Sequence, residues 1–440
     1  MPMLARLTLP RLVRLTLACS LALASAAHAG LTPIEERIVA EVKAGTPGAM
    51  TLLERSVNIN SGTMNVEGVR AVGDLYRAEF DKLGFATRWI DMPPEIKRAG
   101  HLVAERHGKQ GKRLLLIGHL DTVFEPDSPV AKWERKGERV SGQGVSDMKG
   151  GNVIIIQALR ALQRAGALDN TRIAVMFTGD EESPGKPTSI TRSDLIAIAK
   201  RSDMALAFEG TVLDEAGQGT ATVGRRASAS FELDVKGKQG HSAGVFNAGS
   251  GYGAIYEAAR ILDGFRQQVM EPDLTFNPGV ILGGTDVTFD SGAARGSAFG
   301  KNNVIANTAT VKGDIRYLDD AQRERTHTKM RSIVAASLPG TSATIRFAES
   351  YPPMAATPGN HRILELYSRT SVDVGLGPIA ALPAGLRGAG DTNFVAPYVD
   401  SLDGLGATGR GSHSPAEDLE LASIERAAIR TAVLLYRLTR

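Results

Sequence analysis

Six residues of this 440-residue chain stand out as ones whose types and settings could hold or serve a metal ion. They are His119 in Gly-His-Leu-Asp-Thr, Asp147 in Ser-Asp-Met-Lys-Gly-Gly, the adjacent pair Glu181-Glu182, Glu209 in Ala-Phe-Glu-Gly, and His413 in Gly-Ser-His-Ser. Taken singly, an acidic pair reads as a solvated loop and a histidine as a surface or packed residue. Their context changes this. His119, Glu181-Glu182 and Glu209 each follow a short apolar run: Leu114–Ile117, Ile173–Phe177 and Met204–Phe208. Such runs, bounded by turn residues, predict buried strands of a parallel sheet. In such sheets functional groups gather at the carboxyl ends of the strands, so residues distant in sequence are expected on one rim.

The chemistry follows from the ligand types. The only cysteine is Cys19, inside a segment read below as a leader, so any metal must be held by imidazole and carboxylate. Two histidines and three carboxylates, one of them bridging, suffice for two zinc ions, and paired ions clamp both the attacking and the leaving group of a hydrolysis. The Glu181-Glu182 pair then divides its work: one acid ligates, the other takes the proton of the attacking water. Asp121, two residues beyond His119, is placed to orient that imidazole through its second nitrogen.

Arg6, Arg11 and Arg14 precede an uncharged stretch, Leu15 to Ala27, that ends in Ala27-His28-Ala29. This is the pattern of a secretory signal peptide cleaved near Ala29; the stretch is too short for a membrane span. A secreted or periplasmic location is expected. Removing the three leader arginines from 51 basic residues leaves 48, equal to the 48 acidic residues. With no basic stripe, nucleic acid is not an expected partner. A dinucleotide reading of Gly142-Gln-Gly144 fails, because the third glycine and the acidic ribose partner are missing.

The rest of the chain must position these groups. Its length predicts two domains. Leu31 to Leu83 reads as largely helical, and Ala86 to about Thr222 alternates strands with helices, including an apolar helix from Gly151 to Ala165. Near Val223 the pattern changes: Phe231, Leu233 and Val235 alternate with charged residues, as in a strand with one wet face. A helix (253–265), two strands (275–282 and 309–317), a helix (320–336) and a strand (343–347) complete a βαββαβ order, the ferredoxin-like pattern. The chain then returns to a helix, glycine-rich turns and a last helix, 424–438.

Together Gly118-His-Leu-Asp-Thr-Val123, Ser146-Asp-Met-Lys-Gly-Gly151, Gly179-Asp-Glu-Glu182 and Gly411-Ser-His413 resemble the di-zinc exopeptidase family of glutamate carboxypeptidase, acetylornithine deacetylase, succinyl-diaminopimelate desuccinylase and aminoacylase. The motifs span nearly the whole mature chain in order. The resemblance implies an α/β catalytic domain (30–224 and 350–440) with a mixed, mainly parallel sheet flanked by helices, and an inserted lid (225–349) through which the protein forms a homodimer. It implies two zinc ions per subunit, one on His119 and Glu209, one on Glu182 and His413, with Asp147 bridging and Glu181 as general base. Within Gly237-Lys-Gln-Gly-His241, the histidine would reach the partner subunit's site and stabilise the oxyanion. Asn303, Arg316 and the loop Gly388-Ala-Gly390-Asp391 would contact substrate. One departure concerns specificity: Tyr351-Pro-Pro-Met354 stands where carboxypeptidase-type members often carry an arginine, leaving Arg316, Arg387 and Arg410 as candidates to replace it.

The expected function is a zinc exopeptidase releasing a C-terminal residue, with glutamate preferred, from a peptide or N-acyl amino acid. The alternatives are an N-acyl-amino-acid amidohydrolase or dipeptidase and, from another class, a binding protein on a retired enzyme scaffold. The intact Glu181-Glu182 pair argues against the last.

Overall fold

The computed structural model describes residues 30–129, 132–290 and 295–440; the expected leader, with Cys19 and the Ala29 cleavage site, lies outside them. Three helices form one layer: Pro33–Val57, Gly150–Arg164 and Leu421–Leu438 pack on one another. Thr32 caps the first in a capping box with Glu35, satisfying end N–H groups that the helix itself leaves free. Gly150–Arg164 is apolar nearly all round, and Val153 through Ile156 are all fully buried. A helix of that kind belongs in a core. No helix among the described residues is long and apolar enough to cross a membrane.

The helices cover a six-stranded sheet in the order Ala86–Ile90, His101–His107, Thr171–Thr178, Gln110–His119, Met204–Ala207, Ser401–Leu402. The three apolar runs of the sequence are its adjacent parallel strands, with Gln110–His119 in the middle. His101–His107 joins antiparallel, which makes the sheet mixed, as expected. Gly118 shows how closely the layers meet: a Cβ there would lie 2.1 Å from Asn152 Oδ1 of the covering helix. Asn152 in turn donates to the carbonyl of His119 at 2.6 Å.

A second, four-stranded antiparallel sheet runs Thr275–Gly284, Thr308–Arg316, Ser228–Gly237, Thr341–Tyr351, the strand order of the ferredoxin-like pattern. One face carries the helices Ala254–Gln268 and Asp320–Ala335 over a separate apolar cluster that includes Phe231, Leu233, Val311 and Phe265. The alternation read from the sequence holds: Phe231, Leu233 and Val235 are buried. An unforeseen hairpin, Asp286–Asp290 with Arg295–Phe299, interrupts the order. Val287 and Phe289 alternate with polar residues, but no residue of the hairpin is buried, so it lies apart from the core that the other strands share.

A third sheet, Gly409–Arg410, Asp418–Glu420, Arg139–Ser141, Glu134–Lys136, was also not foreseen, since its strands have only two or three residues. It brings the loop around His413 beside the loop leading to Asp147.

Gly118→Ala is expected to displace Asn152 and lower stability by about 1–3 kcal/mol, the usual cost of overpacking a tight core. Thermal melting of the purified variant checks this; an unchanged midpoint would show that the layers yield freely.

Candidate metal centre

His119 ends the central strand and is buried. Its Nδ1 lies 2.9 Å from the carbonyl oxygen of Asp121. A carbonyl only accepts, so Nδ1 carries a hydrogen and Nε2 is the nitrogen turned to the site. Nε2 is buried and has no hydrogen-bond partner among the described residues; it stands 3.4 Å from Asp147 Oδ1 and 3.6 Å from Glu209 Oε1. The Asp121 carboxylate, expected to orient the ring, is farther away, 3.5 Å from Nδ1. Its oxygens accept instead from Thr63 Oγ1 (2.6 Å) and from the backbone N–H groups of Glu181 (3.0 Å) and Glu182 (3.1 Å). Asp121 thus holds the ring with its main chain and the acidic pair with its side chain.

Glu181 and Glu182 leave the end of Thr171–Thr178. Asp180, read from sequence as a turn residue, is fully buried. It accepts from Arg192 Nη1 at 2.6 Å and from Gly185 N at 2.8 Å. Arg192, also fully buried, donates through Nε to Asp391 at 2.7 Å. A buried guanidinium between two carboxylates is costly to break, about 3–5 kcal/mol when one partner is removed. It fixes the acidic turn against the glycine-rich loop.

His413 is the exposed member, with 57% of its side chain accessible. Its φ of 63° is left-handed, a conformation costing a non-glycine residue on the order of 1–2 kcal/mol. Ser414, donating to the Gly411 carbonyl through both N–H and hydroxyl, holds the turn. His413 Nε2 then lies 3.2 Å from Asp147 Oδ2 and 3.1 Å from Glu182 Oε2. Glu417 ties this loop to the other: its carboxylate accepts from the backbone N–H groups of Gly144 (3.1 Å), Ser146 (2.8 Å) and Asp147 (3.0 Å).

The electrostatics describe a site built for cations. Burial opposes the charged form of His119, but Asp121, Asp147 and Glu209 outweigh it and raise its pKa well above the ordinary value. Hydrogen bonds that the imidazole donates to Asp147 and Glu182 push His413 up to about 11. Burial raises Glu181 well above the carboxylate range, with Glu209 and Glu182 adding repulsion, and burial lifts Glu182 to about 7. Asp147 goes the other way: burial is outweighed by the two imidazoles, and its pKa falls.

Three ligand sets form within this space: His119 with Asp147 and Glu209; Asp147 with Glu182 and His413; His119 with Glu181 and Glu182. The residues fit a pair of metal ions. Buried Nε2 of His119 and Oε1 of Glu182 both lack a hydrogen-bond partner among the described residues, and the two imidazoles face opposite oxygens of Asp147. All donors are nitrogen or oxygen, the set that suits zinc and its neighbours.

A cavity of about 740 Å³ opens over the centre, and Glu181, Arg316, Tyr351, Arg387 and Gly388 are among its walls. Gly390 does not line it; a Cβ there would lie 2.3 Å from the Arg225 guanidinium, so the residue must be glycine. His241 and Asn303 are exposed, outside the cavity wall, and next to each other: Ser242 N donates to the Asn303 carbonyl at 3.0 Å. Tyr351 packs on Phe394 and donates to the carbonyl of Glu181 at 2.7 Å. Arg192, Arg225 and Glu417 escaped the sequence reading, because nothing local distinguishes a buried arginine or glutamate from a surface one.

Residues 115–437 match peptidase family M20/M25/M40. Carboxypeptidase G2 of Pseudomonas sp. (strain RS-16) is 27% identical over 98% of this chain and 99% of its own. Succinyl-diaminopimelate desuccinylase of Acidovorax ebreus (strain TPSY) is 24% identical over 80% and 89%. A tripeptidase from Staphylococcus aureus shares the fold with a TM-score of 0.68 at 16% identity, over 90% of this chain and 99% of that one. With the family matched across most of the chain and a two-metal donor set at the strand ends, the protein belongs to peptidase family M20/M25/M40 and is a metal-dependent hydrolase of C–N bonds.

Proposed function

We propose that the protein is a di-zinc exopeptidase that releases a C-terminal residue, preferably glutamate, from a peptide or N-acyl amino acid, and that it acts as a secreted or periplasmic homodimer. The observation that carries this reading is the approach of two imidazoles to opposite oxygens of Asp147, the arrangement a bridging carboxylate needs. His119 and Glu209 would hold one ion and Glu182 and His413 the other. When bound, the pair supplies Lewis acidity and makes water a nucleophile near neutral pH.

Glu181 lies in the cavity wall, with a carboxylate oxygen within 4.8 Å of the donor atoms of His119 and Glu182. One of its carboxylate oxygens takes the proton of the attacking water and delivers it to the leaving nitrogen. Asp121 and Tyr351 hold the Glu181 backbone from two sides, at N–H and C=O, so the base does not swing. Arg316, Arg387 and Gly388 face the substrate in the same cavity; the arginines support an acidic C-terminal residue.

In this reading 225–349 is a lid and dimerisation domain on the catalytic body 30–224 and 350–440. Phe246, Ile255, Tyr256 and Ile281 are large, apolar and exposed on it, and one edge of Thr275–Gly284 is free in its sheet. Such a face suits a second copy. His241 of the partner subunit would then donate to the developing oxyanion. A second reading, an amidohydrolase removing an acyl group, is favoured by the relatives named succinyl-diaminopimelate desuccinylase; a panel of peptides and N-acyl amino acids separates the two.

Metal analysis is expected to give two zinc ions per subunit, and chelation to abolish activity until zinc is restored. Glu181→Gln should keep both ions yet lose on the order of 10²–10⁴ in kcat, whereas Glu182→Gln should lose metal. Normal turnover in the first variant would remove Glu181 from its role. His241→Ala should lower kcat by about 10²–10³ with KM little changed. Mixing its subunits with Glu181→Gln subunits should restore part of the activity, and mixed dimers as inactive as their parents would refute service across the interface.

A further inference from the structure

We propose that Asn393 is a positioning residue for the hydrolysis: it clasps both passages of the chain between the body of the six-stranded sheet and the ferredoxin-like sheet, and so seats Tyr351 against the backbone of Glu181. This deepens the reading of Glu181 as general base and rests on it. The first passage follows the strand Thr220–Thr222 and leads into Ser228–Gly237; the second leaves Thr341–Tyr351 and leads to the helix Pro358–Asp373. The two lie side by side. Arg225 N donates to the Met354 carbonyl at 2.9 Å, and Met354 N to the Arg225 carbonyl at 3.0 Å.

Between these bonds and Tyr351 stand Pro352 and Pro353, which have no N–H to donate. The second passage can be held there only through its carbonyls and side chains. Asn393, fully buried in the short helix Thr392–Val395, supplies the hold. Its Nδ2 donates to the Pro352 carbonyl at 2.7 Å and to the Arg226 carbonyl of the first passage at 3.3 Å. Its Oδ1 accepts from Gly390 N at 2.9 Å. A side-chain amide offers two N–H groups and a carbonyl, and here they engage three segments at once.

The hold reaches the acidic pair by a short path. Pro352 adjoins Tyr351 and Asn393 adjoins Phe394, so the amide-to-carbonyl bond is continued by the two rings, whose centroids lie 4.9 Å apart. The Tyr351 hydroxyl ends the path on the Glu181 carbonyl at 2.7 Å. A second path returns to the same turn. Asp391, two residues before Asn393, accepts from Arg192 Nε at 2.7 Å, and Arg192 Nη1 donates to Asp180 at 2.6 Å. Together they close a ring of contacts through Glu181, Tyr351, Asn393, Asp391, Arg192 and Asp180. A single contact lets a backbone pivot, whereas a closed and satisfied network holds it.

The competing roles are a direct substrate contact by Tyr351, which also lines the cavity, and a purely structural Asn393. The test measures kcat, KM, zinc content and melting temperature for Tyr351→Phe, Asn393→Leu and the milder Asn393→Ser, each alone and in a Glu181→Gln background. Tyr351→Phe keeps the ring against Phe394 and removes only the hydroxyl. It is expected to lower kcat about tenfold, the rate equivalent of one hydrogen bond, with KM, zinc and melting temperature held. Asn393→Ser, and Asn393→Leu where it folds, should lose at least as much in kcat. Adding Tyr351→Phe to either should cost little more, because both act through one contact. On the residual turnover of Glu181→Gln, each substitution should cost less than about twofold. Full activity of Tyr351→Phe, a rise in KM without a fall in kcat, or losses that multiply in the Glu181→Gln background would overturn the inference while leaving Glu181 as the base. Normal turnover of Glu181→Gln itself would remove the base reading, and this inference with it.

Discussion

Asp147, Glu181, Glu182 and Glu209 project into one cavity, and their mutual repulsion is the constraint on which the surrounding structure depends. Unit charges 4 Å apart interact by about 4 kcal/mol at the effective dielectric of a protein surface, so an uncompensated cluster would open or take up protons. The raised pKa values of Glu181 and Glu182 and of both histidines express the second response. Divalent cations would remove the conflict, because one ion takes several carboxylate and imidazole donors at once.

The cluster is held open by groups outside the cavity wall. Asp121 grips the backbone of the acidic pair, Arg192 ties Asp180 to Asp391, and Glu417 gathers three N–H groups of the Asp147 loop. Each such contact is between main chain and side chain or between buried opposite charges, and each joins segments distant in sequence. The result is a set of acids that cannot relax apart. Preorganisation of this kind lets the site stabilise charge during reaction without moving first.

Among the metal-site donors, strain and exposure fall on His413, at the mouth of the cavity. His413 adopts a left-handed conformation on a loop anchored by strands of only two and three residues. His119, by contrast, is rigid at a sheet centre. One side of the donor set is therefore set by the core and the other by a loop.

The apolar runs Leu114–Ile117, Ile173–Phe177 and Met204–Phe208 determined the parallel strands, because a strand buried on both faces must be apolar throughout. The donors at their ends were legible for the same reason: polar residues following such runs emerge at one rim. The alternation at 231–235 likewise determined a sheet with one wet face. Tertiary structure alone decided the rest. Asp180, Arg192 and Glu417 look like surface residues in sequence, and only their burial opposite a partner gives them a role. Arg387, Arg316 and Arg410 were equivalent candidates until contacts showed Arg316 on Asp314, Arg410 in solvent and Arg387 largely buried, its Nε without a partner among the described residues. Burial and pairing are properties of space, and a one-dimensional pattern carries them only when periodicity forces a residue inside.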